Sequence, residues 1–442
     1  MSVLRQFLRF TVPTVAAMLV NGLYQVVDGI FIGHYIGAAG LAAINVAWPV
    51  IGTTLGIGMM VGVGCGALAS IRQGEGDIEQ ARRILATGLM SLIVLAPCVA
   101  AVLWWLADDF LRWQGVEGQV LQLGLQYLQV LMLSCVFSLG SIAMPFLLRN
   151  DDSPNLATLL MMLGALINIV LDYVLIAVAG WELTGAAIAT AVAQVVVSVL
   201  GMSYFFSRRA NMRLTRACLR FDWHYVPKML HIGASSLFMY AYGAIMVAIH
   251  NSVIMHYGDE VLVGAYAMLG YIIVVYYFTA EGIASGMQPL ASFYYGAGQN
   301  DNLRRLLKLA MSVAVLGGMV FVVLLNLFSE QVISIFNSDD ARLLQGASFA
   351  LTLHLSALYL DGFLVVCAAF YQATNQGNRA MFVTIGNIVL QLPFLFVLPK
   401  LWGMTGVWLA FPLSNLALSL VVAVMLWRSL RRMNLVQRPQ PV

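Results

Sequence analysis

The stretch GCGALASIRQGEGDIEQARRIL at residues 64–85 recurs 222 positions later as GMQPLASFYYGAGQNDNLRRLL at residues 286–307, identical at nine of 22 places without a gap. A second pair follows in the same order. Asn168-Ile-Val-Leu-Asp172 matches Asn387-Ile-Val-Leu-Gln391, and Trp181, Thr184 and Gly185 match Trp402, Thr405 and Gly406, at offsets of 219 and 221. Two ordered matches at nearly one offset mark an internal duplication, the pattern from which a chain of two like halves is built.

The composition says what medium those halves occupy. The 442 residues are 61% hydrophobic and 10% charged, with a mean hydropathy of +0.86, against about 25% charged for a soluble domain. That excludes a soluble enzyme, a nucleic-acid binder and a disordered chain. A helical span needs about 20 mostly apolar residues, and apolar windows bounded by charges, Gly or Pro predict twelve spans. They cover 8–36, 41–71, 84–107, 118–148, 154–180, 183–207, 229–257, 262–294, 307–329, 346–374, 380–401 and 404–427. Transmembrane barrels need short alternating segments that are absent here.

Equivalent repeat positions lie six spans apart, so both halves have the same orientation. The expected fold is all-α: two six-helix lobes, residues 1–207 and 229–427, related by a pseudo-two-fold axis along the membrane normal. A basic linker, 208–228, joins them, and 428–442 form a tail. The basic start MSVLRQFLRF runs into a span without a small-residue cleavage site and reads as a retained first helix. The five cysteines form no CxxC or metal-like spacing.

With the N-terminus inside, 20 of the 23 Lys+Arg, Arg149 among them, fall in inside segments, and Arg112, Arg342 and Lys400 fall outside. The excess of basic residues on one side places both termini in the cytoplasm, in a plasma membrane such as a bacterial inner membrane.

Sixteen of the 20 acidic residues lie in loops or at span ends, leaving Asp28, Asp172, Glu281 and Asp361 within spans. A carboxylate at the centre of a span costs about 2.5–3.5 kcal/mol on insertion scales, so these four are the functional candidates. Asn21, Tyr24, Gln25 and Asp28 recur at helical spacing on one face, as do Asn168 and Asp172. A lobe that joins the first and fifth spans gathers both carboxylates. Two carboxylates at one site either share a proton or bind a cation, and an all-oxygen shell suits a hard ion such as Na⁺.

At an offset of 222 Asp28 falls on His250, and Asp172 corresponds to Gln391. The coupling-ion chemistry is therefore expected in the first half, with His250 as a core histidine or a proton-sensing, substrate-facing one. Glu281 and Asp361 lie near Tyr277 and Tyr359, a carboxylate-and-ring pattern that attracts a bulky organic cation. Pro13, fifteen residues before Asp28, removes a backbone hydrogen bond and marks a place where the first helix can bend.

Pro13, Tyr24 and Asp28, the run Asn168–Asp172, the run Thr184–Thr190 and the loops Gly74-Glu75-Gly76 and Gly296-Ala297-Gly298 resemble the multidrug and toxic compound extrusion (MATE) family. The resemblance covers essentially the whole chain. It implies an antiporter that expels cationic amphipathic compounds in exchange for inward H⁺ or Na⁺. It further implies a first-lobe cation site of Asp28, Asn168, Asp172 and Thr190, with Tyr24 nearby and Pro13 as the bend. Met239-Tyr240 stands where NorM-like members carry a glutamate, so the chain looks closer to the DinF-like branch. Asp361 resembles the acidic position on helix 10 of NorM-like members.

Two other readings compete. A lipid-linked saccharide flippase of the related superfamily would line its cleft with several buried cations. A membrane enzyme would use His250, His256, Asp259 and Glu260, which form no HExxH motif. The expected partners are small organic cations and membrane lipids, not nucleic acid. No cofactor beyond the coupling ion is expected, and two lobes in one chain make a monomer sufficient.

Overall fold

The structure is a computed structural model and describes residues 2–114, 116–334 and 341–435. The side chain of Arg342 and the tail beyond residue 435 lie outside the described residues. The first half contains α1 (Val3–Tyr35), α2 (Ala38–Gly74), α3 (Ile78–Trp113), α4 (Gly118–Leu133), α5 (Cys135–Asn150), α6 (Pro154–Asp172) and α7 (Glu182–Phe206). A π-helical turn, Tyr173–Val178, extends α6. The second half contains α8 (Val226–Tyr257), α9 (Glu260–Gly296), α10 (Asn300–Leu327), α11 (Ser329–Ser334), α12 (Ala341–His354), α13 (Leu358–Ala373), α14 (Gly377–Trp402) and α15 (Met404–Leu435). Among the described residues ten helices are long and apolar enough to cross a membrane, or twelve when two bent pairs each count as one span.

Those bent pairs correct two expectations. The fourth span, expected unbroken over 118–148, bends by 68° between α4 and α5, and the tenth, expected over 346–374, bends by 48° between α12 and α13. A serine stands at each bend. Ser134 Oγ donates to the carbonyls of Val130 and Leu131 at 3.2 Å, and Ser356 Oγ donates to Leu353 O at 2.8 Å. A hydroxyl that takes up carbonyls of the preceding turn lets the helix bend without leaving those oxygens unpaired. The two serines stand 222 residues apart, so the break is itself repeated.

The helix starts follow from local chemistry. Asp77 accepts from Gln80 N at 2.9 Å to cap α3, and Asp259 accepts from Leu262 N at 3.1 Å at the start of α9. In the repeated Gly-x-Gly turns the second glycine takes a left-handed backbone, φ +85° at Gly76 and +68° at Gly298, which a side chain would strain.

Core packing shows where the two lobes meet. Toward the end that carries Arg72, Arg82 and Arg304, the cores mix halves: Met229 and Ile232 of α8 pack with Leu68, Leu85 and Leu147, while Phe7 and Phe10 of α1 pack with Met287, Leu307 and Phe370. Toward the opposite end the cores separate. Ile32, Leu123, Tyr127 and Ile176 cluster within the first half, and Ile254, Leu269, Leu351 and Trp408 within the second. Helix α2 is buried throughout Val61–Ile71 and α9 throughout Ala280–Ser292, while their other halves are partly exposed. The lobes are thus sealed at the basic end and part at the other, leaving a cleft between them. The linker is held to the first lobe by buried Asp151, which accepts from Met212 N at 2.6 Å, Asn211 N at 2.9 Å and Tyr204 Oη at 2.8 Å.

Candidate functional site

Helix α1 packs along α6, which brings Asp28 to Asp172. The two carboxyl groups lie within hydrogen-bonding reach of each other. Asp172 and Asn168, one turn apart, are buried, and Asn168 Nδ2 donates to Thr190 Oγ1 of α7 at 3.2 Å. Tyr24 lies close enough to feel both carboxylates. All five residues expected at the first-lobe site therefore converge.

The structure adds Tyr127 of α4, buried, within reach of Thr190 and within the field of Asp28 and Asp172. Nothing in the single sequence marks it, because a lone tyrosine in GLQYLQV reads as ordinary packing.

What the site lacks is a donor. Asp28 Oδ1, both Asp172 carboxyl oxygens and Asn168 Oδ1 are buried without a hydrogen-bond partner. Among the described residues the ion pairs Arg9–Asp152, Arg72–Glu75, Arg83–Glu79 and Arg112–Asp108 sit at helix ends, and no lysine or arginine reaches an intramembrane acid within 4 Å. Two ionised carboxylates cannot donate to each other. An unpaired buried charge costs several kcal/mol, of the order of a lost buried ion pair, so a proton shared between the carboxyls or a hard cation among the oxygens would stabilise the pair.

The second lobe is built differently at the matching places. His250 Nδ1 contacts its own Met246 carbonyl at 2.9 Å, and the ring stacks on Tyr266 and meets His354 edge-on, inside the outer core of the second lobe. His250 thus does not join the cleft-side acids. Gln391 accepts from Tyr242 Oη at 2.6 Å. Asn387, the repeat partner of Asn168, lies within reach of Asp361.

Between the lobes runs a band of rings and acids. Tyr277 lies within the electrostatic range of Glu281 and Asp361, and Tyr240 within that of Glu281. Phe146, Met59 and Val63 of the first half pack with Met239 and Tyr240 of the second, so the band crosses the cleft floor. Of the other expected contributors, Gln25 is exposed on α1, the Tyr359 backbone packs against Gly318 of α10, and Pro13 sits inside α1, which runs through it as one helix. Arg149 departs from the expected solvated position. It is 2% exposed and stacks on Phe146 at 4.7 Å, with Glu281 the carboxylate whose field reaches it. It is the one buried cationic side chain among the described residues.

Comparison with known proteins places this geometry. The MatE family model matches the chain twice, over residues 13–174 and 232–397, once in each half. The multidrug export protein MepA of Staphylococcus saprophyticus is 24% identical over 406 residues, covering 92% of this chain and 89% of its own. MepA of Staphylococcus aureus strain NCTC 8325 is 24% identical over 427 residues, covering 95% and 93%. Among solved structures, a MATE in complex with MaL6 superposes with a TM-score of 0.93 at 24% identity, covering 99% of this chain and 98% of that one. The outward-facing conformation of a multidrug resistance MATE family transporter of the MOP superfamily gives 0.92 at 24% identity, covering 98% and 97%.

Proposed function

The chain belongs to the MatE family and is a multi-pass membrane transporter, not an enzyme, and from that premise we propose that it exports cationic amphipathic compounds in exchange for inward H⁺ or Na⁺. The observation that carries the reading is the donor-poor pair Asp28 and Asp172, with three of its four carboxyl oxygens buried and unpartnered. The coupling ion binds there, held by Asp28, Asn168, Asp172 and Thr190, with Tyr24 and Tyr127 beside it. The organic cation binds on the band of Glu281, Tyr277, Tyr240 and Asp361, where charge and ring faces combine. The similarity to the MepA multidrug export proteins supports the export of drugs.

The division into lobes 1–207 and 229–427, with linker 208–228, is supported by the end of α7 at Phe206, while α8 begins at Val226 within the expected linker and α15 continues to Leu435 beyond the expected lobe end. The basic end with both termini faces the cytoplasm, and one chain suffices for transport. The cleft then opens outward in this conformation, and the ion enters the Asp28–Asp172 pair from outside. One charge crossing the field yields about 2.3 kcal/mol per 100 mV, and a tenfold ion gradient about 1.4 kcal/mol. Exchange of one ion for one drug cation forfeits the first term, whereas two ions or a neutral substrate use it.

The test is efflux of a fluorescent organic cation from proteoliposomes under an imposed Na⁺ gradient or pH gradient. Export that follows one gradient and vanishes in Asp28→Asn supports the reading. A dye that neither gradient moves refutes it.

A further inference from the structure

The repeated segments at 64–85 and 286–307 take no part in the ion site, yet they carry the strongest internal identity in the chain. Their glycines lie where the lobes cross at the basic end. A Cβ built on Gly74 would stand 2.2 Å from Phe293 O of the other lobe, and one on Gly296 would stand 2.0 Å from Ile71 O. These are the same contact seen twice, since 74 pairs with 296 and 71 with 293 at the 222-residue offset. One level deeper, a Cβ on Gly64 would stand 1.9 Å from Met229 O, and its repeat mate Gly286 would bring one 2.7 Å from Thr11 Cα. On α8, Gly233 would bring one 1.8 Å from Met60 O.

The nearest atom in each of these contacts belongs to the backbone, so no rotamer change relieves them. Only separation of the helices does. Toward the opposite end the corresponding helices carry Gly29, Gly52, Gly243 and Gly270, where an added Cβ meets nothing within 4 Å. A buried amide bridge backs the crossing. Asn150 Nδ2 of α5 donates to Gln288 Oε1 of α9 at 3.2 Å, while Ser70 Oγ donates to Asn150 Oδ1 at 2.7 Å.

We propose that these two mirrored glycine crossings are the gate at the basic end of the transporter. The gate closes because Gly74, Gly296, Gly64 and Gly233 let backbone lie on backbone. Parting it, with rupture of the Asn150–Gln288 bridge, is the step that opens the cleft to the other side. The duplication is strongest here because both copies must present the same bare backbone to each other. The inference rests on the alternating-access reading above but not on which ion or substrate is carried.

Glu79 and Asp301, exposed first-turn residues of α3 and α10, occupy matching places on the two lobes at the basic end. Spin labels attached there through ketone-bearing amino acids report the gate as a distance in nanodiscs, without disturbing the native cysteines. The parent protein should show mainly the short distance. Gly74→Ala and Gly296→Ala should each convert it to a longer one, lowering the short-to-long ratio about tenfold or more, and Gly317→Ala, with open space around it, should leave it unchanged.

Asn150→Ala adds no atoms and keeps the test open if the added Cβ prevents folding. It should lower the same ratio about fivefold, the worth of one net hydrogen bond. A ratio unchanged in Asn150→Ala, or a short distance retained in either Gly74→Ala or Gly296→Ala, overturns the gate. Shifted distances in a protein that fails the efflux assay keep the gate and discard the export reading, and the converse keeps export and discards the gate.

Discussion

Tyr242 donates a 2.6 Å hydrogen bond to Gln391, the residue that stands in the second lobe where the first has Asp172. The first-lobe position keeps a carboxylate with both oxygens unpartnered, while its second-lobe counterpart is neutral and already satisfied. The duplication has thus left one half with unpartnered carboxyl oxygens, where we propose that the ion binds, and filled the same place in the other half with a hydrogen bond.

That asymmetry predicts unequal losses. Asp172→Ala should abolish gradient-driven export, whereas Gln391→Ala removes one net hydrogen bond and should keep export within about fivefold of the parent. Initial efflux rates at matched protein density decide it, and equal losses would contradict the asymmetry.

Tyr127 borders the proposed ion site from α4. Tyr127→Phe keeps the ring in its buried place and removes the hydroxyl that reaches Thr190. The ion concentration for half-maximal export should rise about fivefold, with the melting temperature little changed. An unchanged ion dependence would remove Tyr127 from the site.

Glu281 lies among tyrosines on the cleft floor. Glu281→Gln keeps the shape and removes the charge, so the half-saturating concentration of a cationic dye should rise about tenfold or more, while that of a neutral amphiphile stays within twofold. Equal effects on both would assign Glu281 to structure.

Asp151 ties the linker to the first lobe by accepting from Asn211 N and Met212 N, with Tyr204 Oη of α7 as a third donor. Asp151→Asn leaves a single acceptor oxygen for them and should destabilise the protein by about 1–3 kcal/mol. Thermal unfolding in detergent reads this directly, and an unchanged melting temperature would contradict the clamp.

The sequence made the spans and the duplication legible because an apolar run of 20 residues has few other uses, and because crossing backbones forbid drift in the glycines at 74 and 296. It made Asp28 and Asp172 legible because a carboxylate inside a span is costly enough to demand a partner, Asn168 legible by its one-turn spacing from Asp172, and Thr190 legible only through the family resemblance. Tyr127 was not legible, since a tyrosine costs little in an apolar helix whichever face it takes. The breaks at Ser134 and Ser356 were hidden for a related reason: a serine that bonds its own helix is tolerated in an unbroken span as well as a bent one. Arg149 read as a loop cation because its position near a span end is compatible with solvent, and only packing on Phe146 shows it buried.

The most direct test of the ion pair is counting the ion itself. Addition of a cationic substrate to purified protein in weakly buffered detergent should release about one proton or one Na⁺ per chain, the one cation the Asp28–Asp172 pair accommodates. Asp28→Asn and Asp172→Asn should release none while still binding the substrate. Release retained at the parent stoichiometry in Asp172→Asn would contradict the assignment of the coupling ion to this pair.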